Sequence, residues 1–162
     1  VGAGPAGIGI ATLLARCEIP TIILERGRIG ESFHRWPKET RFISPSFTGN
    51  FFGSVDLNSI TPESSPAFGL QTEHPTGLEY VDYLETIVEI YELDVREQVT
   101  VQDISFKDKS LISLTTSEGT MSCNTLIWAG GEFQFPKKLD HTVRVGSSYN
   151  DFPKGHHIVI GG

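Results

Sequence analysis

The chain has 162 residues, enough for one domain with a real hydrophobic core and too few for two of ordinary size. Lys and Arg number 13 against 20 Asp and Glu, a formal charge of −7, so the basic excess that marks a nucleic-acid or anionic-membrane binder is absent. The longest apolar stretch, residues 8–15, is far short of a membrane span and has no charged leader before it, so a cytoplasmic location with neither membrane nor nucleic acid as partner is expected.

The first eleven residues, VGAGPAGIGIA, carry glycine at 2, 4, 7 and 9. From Pro5 to about Cys17 the sequence suits a helix: proline occupies the first turn, where its missing N–H is no loss, and Ile8, Ala11, Thr12 and Ala15 fall at helical spacing. Thr21 to Glu25, TIILE, is a β-branched run of the kind buried on both faces of a parallel sheet. Loop, helix and strand thus follow in βαβ order, with a first strand ending at Val1.

RGRIGESFHRW (26–36) and the Ser-, Pro-, Gly- and Phe-rich ISPSFTGNFFGS (43–54) make up a long segment of little periodicity, and long irregular segments in compact domains are disproportionately functional. Thr76 to about Leu93 is the clearest helix, opened by the capping box Thr76-Gly77-Leu78-Glu79. Its apolar stripe of Tyr80, Leu84, Ile87, Val88 and Tyr91 is expected to pack in the core. Beyond Asp94 the runs VTVQDISF, SLISLTT and TMSC, separated by turn residues, predict a small antiparallel meander. TLIWAGG (125–131) and the terminal HHIVIGG each run from a buried-type strand into glycines.

Gly2-Ala3-Gly4-Pro5-Ala6-Gly7 fits G-x-G-x-x-G, in which the glycines allow a tight turn, close approach of backbone to a diphosphate, and close packing of helix on strand. Diphosphate oxygens sit on the free N–H groups of the helix N-terminus. Glu25, about twenty residues further on, ends the second strand, where an acid accepts hydrogen bonds from a ribose diol. NAD and the ADP half of FAD are alike to such a loop. An NAD dehydrogenase would continue directly into further βα units, whereas here an irregular segment, a helix and a meander follow, the order expected of a FAD module.

Cys17 and Cys123 form no C-x-x-C pair, and His34, His74, His141, His156 and His157 are scattered without metal-ligand spacing, so no metal is expected.

These residues resemble the FAD- and NAD(P)H-dependent two-dinucleotide-domain flavoproteins, in particular the branch similar to flavin-containing monooxygenases. The resemblance covers essentially the whole chain. It implies an α/β fold, an FAD/NAD(P)-binding Rossmann-like three-layer domain with a small antiparallel β-meander, and it implies FAD and NAD(P)H as cofactors. By the same resemblance the FAD contacts are Gly2, Gly4, Pro5, Ala6 and Gly7 in the loop, Glu25 and Arg26 at the ribose, and Gly30, Ser32 and Phe33 in the segment after the acid. Ser44 and Pro45 belong to the stretch that passes the flavin ring, Val99 matches a valine whose backbone pairs with adenine, and Ala129, Gly130 and Gly131 return to the cofactor without the family's threonine.

Asn50 is the candidate catalytic residue, hydrogen-bonding near the flavin, although a surface turn at Thr48-Gly49-Asn50 suits the residue types equally well. The resemblance further implies that 1–156 is the N-terminal part of a FAD-binding domain lacking most of its first strand, and that 157–162 opens a truncated NAD(P)H-binding domain. The implied function is an oxidoreductase acting on a small-molecule substrate: NAD(P)H reduces the flavin, which reacts with O2 to oxygenate a soft nucleophile or a carbonyl. A homodimer is compatible with it. A thioredoxin-reductase-like disulfide or quinone reductase is the alternative enzyme, and a non-catalytic FAD-binding module the alternative outside enzymology.

Overall fold

A computed structural model of the chain describes residues 1–44, 56–106, 110–131 and 154–155. Pro45, Asn50 and the expected second-domain start at 157–162 lie outside them. The elements in order are α1 (Pro5–Arg16), β1 (Ile22–Leu24), α2 (Glu31–His34), α3 (Pro66–Leu70), α4 (Gly77–Ile90), β2 (Asp94–Arg96), β3 (Val101–Phe106), β4 (Ile112–Thr116) and β5 (Gly119–Cys123).

The organising element is a short parallel sheet. β1 pairs with β2 in parallel, Ile22 opposite Asp94 and Leu24 opposite Arg96. On the other side of β1, Gly2 N donates to Leu24 O at 2.8 Å. Beyond it, Val1 N donates to Ile127 O at 2.7 Å and Ala129 N to Val1 O at 2.8 Å. Residues 1–3 therefore lie between 125–130 and β1, which is the place the sequence assigns to a first strand.

Successive residues of a strand face opposite sides of a sheet, and here that alternation makes the layers. Ile23 joins Ile8 and Ala11 of α1 and Tyr80, Leu84 and Ile87 of α4 in one buried cluster. Leu24 joins Val99 and Leu114 in a second, flanked by Ile112 and Met121 of the meander. Helices, parallel sheet and the antiparallel sheet β3-β4-β5 thus stack as the three layers expected from the sequence.

The helix at 77–90 buries Tyr80, Leu84 and Ile87 as expected, and also Val81 and Tyr83. Both tyrosines act as struts for the irregular segment. Tyr80 Oη donates to Asn58 O at 2.7 Å, and Tyr83 Oη accepts from Ile60 N at 2.8 Å and lies 2.6 Å from Ser64 Oγ. Burial pushes both hydroxyls above the ordinary phenol range, so they remain protonated donors at neutral pH. Asp56, 1% exposed, accepts from Asn58 N, Ser65 Oγ and Ala67 N, which fixes the turn into α3.

The capping box at α4 is complete: Glu79 N donates to Thr76 Oγ1, and Thr76 N donates to Glu79 Oε2 at 2.7 Å. The bonds from the Thr76 backbone and hydroxyl hold the Glu79 carboxyl below the ordinary carboxylate range. A depressed folded value means that its contribution is present above the unfolded pKa of about 4.3 and is lost as pH falls through the lower folded one. Thr76→Ala is expected to cost about 1 kcal/mol at pH 7, measured by denaturant melts, with the deficit shrinking as the medium is acidified below about pH 4.

Candidate functional site: a diphosphate and ribose cleft

The glycines of the loop differ in what surrounds them. Gly2 has φ +103°, and a Cβ there would drive into the Ala129 carbonyl, so no other residue suits the turn. A Cβ on Gly7 would strike the Gly2 carbonyl, the close approach of helix to strand that a third glycine permits. Gly4 is different. A Cβ on it would meet no protein atom within 4 Å, and its φ of −87° is open to any residue.

The emptiness beside Gly4 is a cleft of about 160 Å³, lined by Gly2, Gly4, Pro5, Ala6, Glu25, Glu31, Ser32, Ala129 and Gly131. α1 starts at its floor, with Gly4 as N-cap, no side-chain cap and no acid in the first turn. Its first free amides are thus left uncapped by any side chain of α1, an electropositive end suited to phosphate oxygens.

Glu25, 7% exposed, forms one wall. Its Oε2 accepts from Ala3 N at 2.8 Å and its Oε1 from Gly27 N at 2.7 Å, so the carboxylate links the glycine loop to the turn after β1. Each carboxylate oxygen accepts more than one hydrogen bond, which leaves acceptor capacity toward the cleft. The backbone of Glu25 is held as firmly: its N–H donates to Arg96 O and its carbonyl accepts from Val99 N, both at 2.9 Å.

Eight of the residues expected from the sequence to touch the cofactor line this cleft: Gly2, Gly4, Pro5, Ala6, Glu25, Ser32, Ala129 and Gly131. The other described ones are placed around it. Gly7 packs behind the loop, and Gly30 N donates to Ala3 O at 2.9 Å, joining the start of α2 to the loop. Gly130 lies against the Trp128 ring, and Arg26 is exposed. Phe33 stacks among Trp36, Phe42 and Tyr80, with centroids 4.9–5.8 Å apart. Ser44 bonds to Asn58 at 3.0 Å, and Val99 is buried in the meander-side core.

One cleft residue, Glu31, lies in the segment expected to contact the cofactor but was not singled out as a contact. Its Oε1 accepts from Arg35 Nε at 3.0 Å, and its Oε2 from Arg28 N at 3.3 Å and Arg28 Nε at 3.4 Å. Desolvation pushes its carboxyl up, but the arginine bonds outweigh it and hold the group below the ordinary range. No motif signals this residue. The only hint in the sequence is an acid flanked by arginines at i−3 and i+4.

A glycine turn, an uncapped helix and an acid just after the strand that follows define a dinucleotide-binding unit of the βαβ class. The chain belongs to the pyridine nucleotide-disulphide oxidoreductase family, whose profile matches residues 1–162.

Among curated proteins it is 28% identical over 141 residues to the Arabidopsis thaliana "Probable indole-3-pyruvate monooxygenase YUCCA8", covering 82% of this chain and 31% of that one. Among solved structures it superposes on a bacillithiol disulfide reductase from Staphylococcus aureus with a TM-score of 0.64 at 23% identity, covering 76% of this chain and 34% of the other. It superposes equally well on OTEMO in complex with FAD and NADP, with a TM-score of 0.64 at 21% identity and coverage of 86% and 26%. Both structures share the fold. The chain spans about a third or less of the length of each of these proteins.

Proposed function

We propose that this chain forms the FAD-holding part of an NAD(P)H-dependent flavoprotein monooxygenase acting on a small-molecule substrate. The observation that carries the reading is the cleft, in which an uncapped helix start and a buried ribose-type acid meet across a glycine that faces open space. The residues present fit the ADP half of FAD: the backbone amides of Gly4 and Ala6 for the diphosphate, Glu25 for the ribose diol, and Ser32 as a further hydroxyl donor at the rim.

The flavin, when bound, supplies the redox chemistry by accepting hydride from NAD(P)H and passing electrons to O2. The chain's own part is to bind and orient. Glu25, anchored at both carboxylate oxygens, sets where the ribose lies, and the loop sets the direction in which the rest of the cofactor leaves the cleft. The monooxygenases among the curated relatives favour oxygenation over disulfide reduction.

The test is anaerobic addition of NADPH or NADH to the flavin-loaded full-length protein, followed by oxygen and a model sulfide. Bleaching of the flavin's visible absorbance, then one sulfoxide formed per nucleotide consumed, is the expected result. Turnover of a disulfide with no oxygenated product would make it a reductase, and a flavin that neither nucleotide bleaches would make it a binding module.

A further inference from the structure

A second carboxylate in a cleft meant for a diphosphate is unfavourable unless something reverses its sign, and the surroundings of Glu31 do so. Arg28 approaches from the preceding loop and Arg35 from the end of α2, each bonded to Glu31 through Nε. A guanidinium carries five N–H donors, and the Nε bond uses one of them. The three side chains together carry one net positive charge.

The backbone is shaped for this arrangement. Glu31 folds back over Gly27 so closely that a Cβ there would lie 2.7 Å from its Cγ and 2.8 Å from its carboxylate carbon. The carboxylate end is thereby held between the two arginines, with the Glu31 side chain 20% exposed and the arginine side chains 55% and 54% exposed. Glu31 and the start of α1 line the same cleft, and the two arginines reach it only through their bonds to Glu31.

We propose that Arg28 and Arg35, aligned by Glu31 over Gly27, form a cationic rim that offsets the charge of a bound dinucleotide's diphosphate on the Glu31 side of the cleft. The inference rests on the FAD reading above. Glu31, which lines the cleft, is a positioning residue in it, and the arginines bonded to it act on the ligand's charge from beside the cleft.

Flavin-depleted full-length protein titrated with FAD tests it. Arg28→Met/Arg35→Met is expected to weaken binding about tenfold at ~50 mM salt and only about twofold at ~500 mM, because exposed charges are screened. Glu31→Gln alone should weaken it about threefold, and should add nothing in the double-arginine background if it works through those side chains. Gly27→Ala, which keeps all three charges and displaces the carboxylate, should match Glu31→Gln. Arg35→Met alone, at an exposed position, gives the same comparison at a smaller size if the double variant does not fold. Wild-type affinity in the arginine variant at low salt, a loss that salt does not reduce, or a loss matched by a fall in the melting point without FAD would overturn the rim. Failure of the unaltered protein to bind FAD at either salt would instead overturn the functional reading.

Discussion

Gly4→Val is expected to abolish FAD binding while leaving the melting point of the flavin-free protein within about 1 °C. The two effects separate because the added side chain meets no protein atom within 4 Å and the φ of −87° suits valine, so the folded chain accommodates it. The space it fills is the space beside the α1 amides where a diphosphate must sit. Gly7→Val should do the reverse. Its Cβ strikes the Gly2 carbonyl, so the helix must part from the loop and the protein should melt markedly earlier or fail to fold. Differential scanning fluorimetry beside FAD fluorescence quenching reads both quantities. Equal flavin affinity for Gly4→Val and the unaltered protein would show that the cleft does not hold the cofactor.

Glu25→Ala should weaken FAD binding at least tenfold and also destabilise the protein without cofactor. The first loss follows from charge-assisted bonds to a ribose diol, roughly 1.5–3 kcal/mol each. The second follows from the loss of the acceptor for the Ala3 and Gly27 amides; an orphaned buried donor costs about 1–3 kcal/mol. Glu25→Gln keeps one acceptor oxygen and should fall between. A variant with lowered stability and unchanged affinity would make Glu25 a tie between two loops and nothing more.

What the sequence revealed follows from where the physics is local. Gly2 and Gly7 were legible because each answers a backbone requirement within one turn, Gly4 because its spacing marks the open place beside the helix start, and Glu25 because it ends a β-branched run. The meander and the helix at 77–90 were legible from their alternation and their capping box. β2 was not: Asp94-Val95-Arg96 is a strand only because it lies beside β1, and neither its length nor its charges signal that. α2 spans four residues, too few to show a period. Tyr83 fell outside the expected stripe because α4 buries a wider face, against the segment around Ile60 and Ser64 that has no pattern of its own. Glu31 depends on a side chain folding back over Gly27, which no linear motif encodes.

The ladder that seats residues 1–3 between β1 and 125–130 has a consequence for the order of events during synthesis. One of its bonds joins residues 126 positions apart, and Gly2 sits against Ala129. On the ribosome the glycine loop, α1 and β1 emerge early, yet the wall that Ala129 and Gly131 contribute to the cleft cannot be in place until most of this sequence has left the exit tunnel. Contacts of such separation slow folding through the entropy of closing the intervening chain. The cofactor therefore has no complete cleft to enter before residues 129–131 are clear of the tunnel, and flavin loading should follow the emergence of this region.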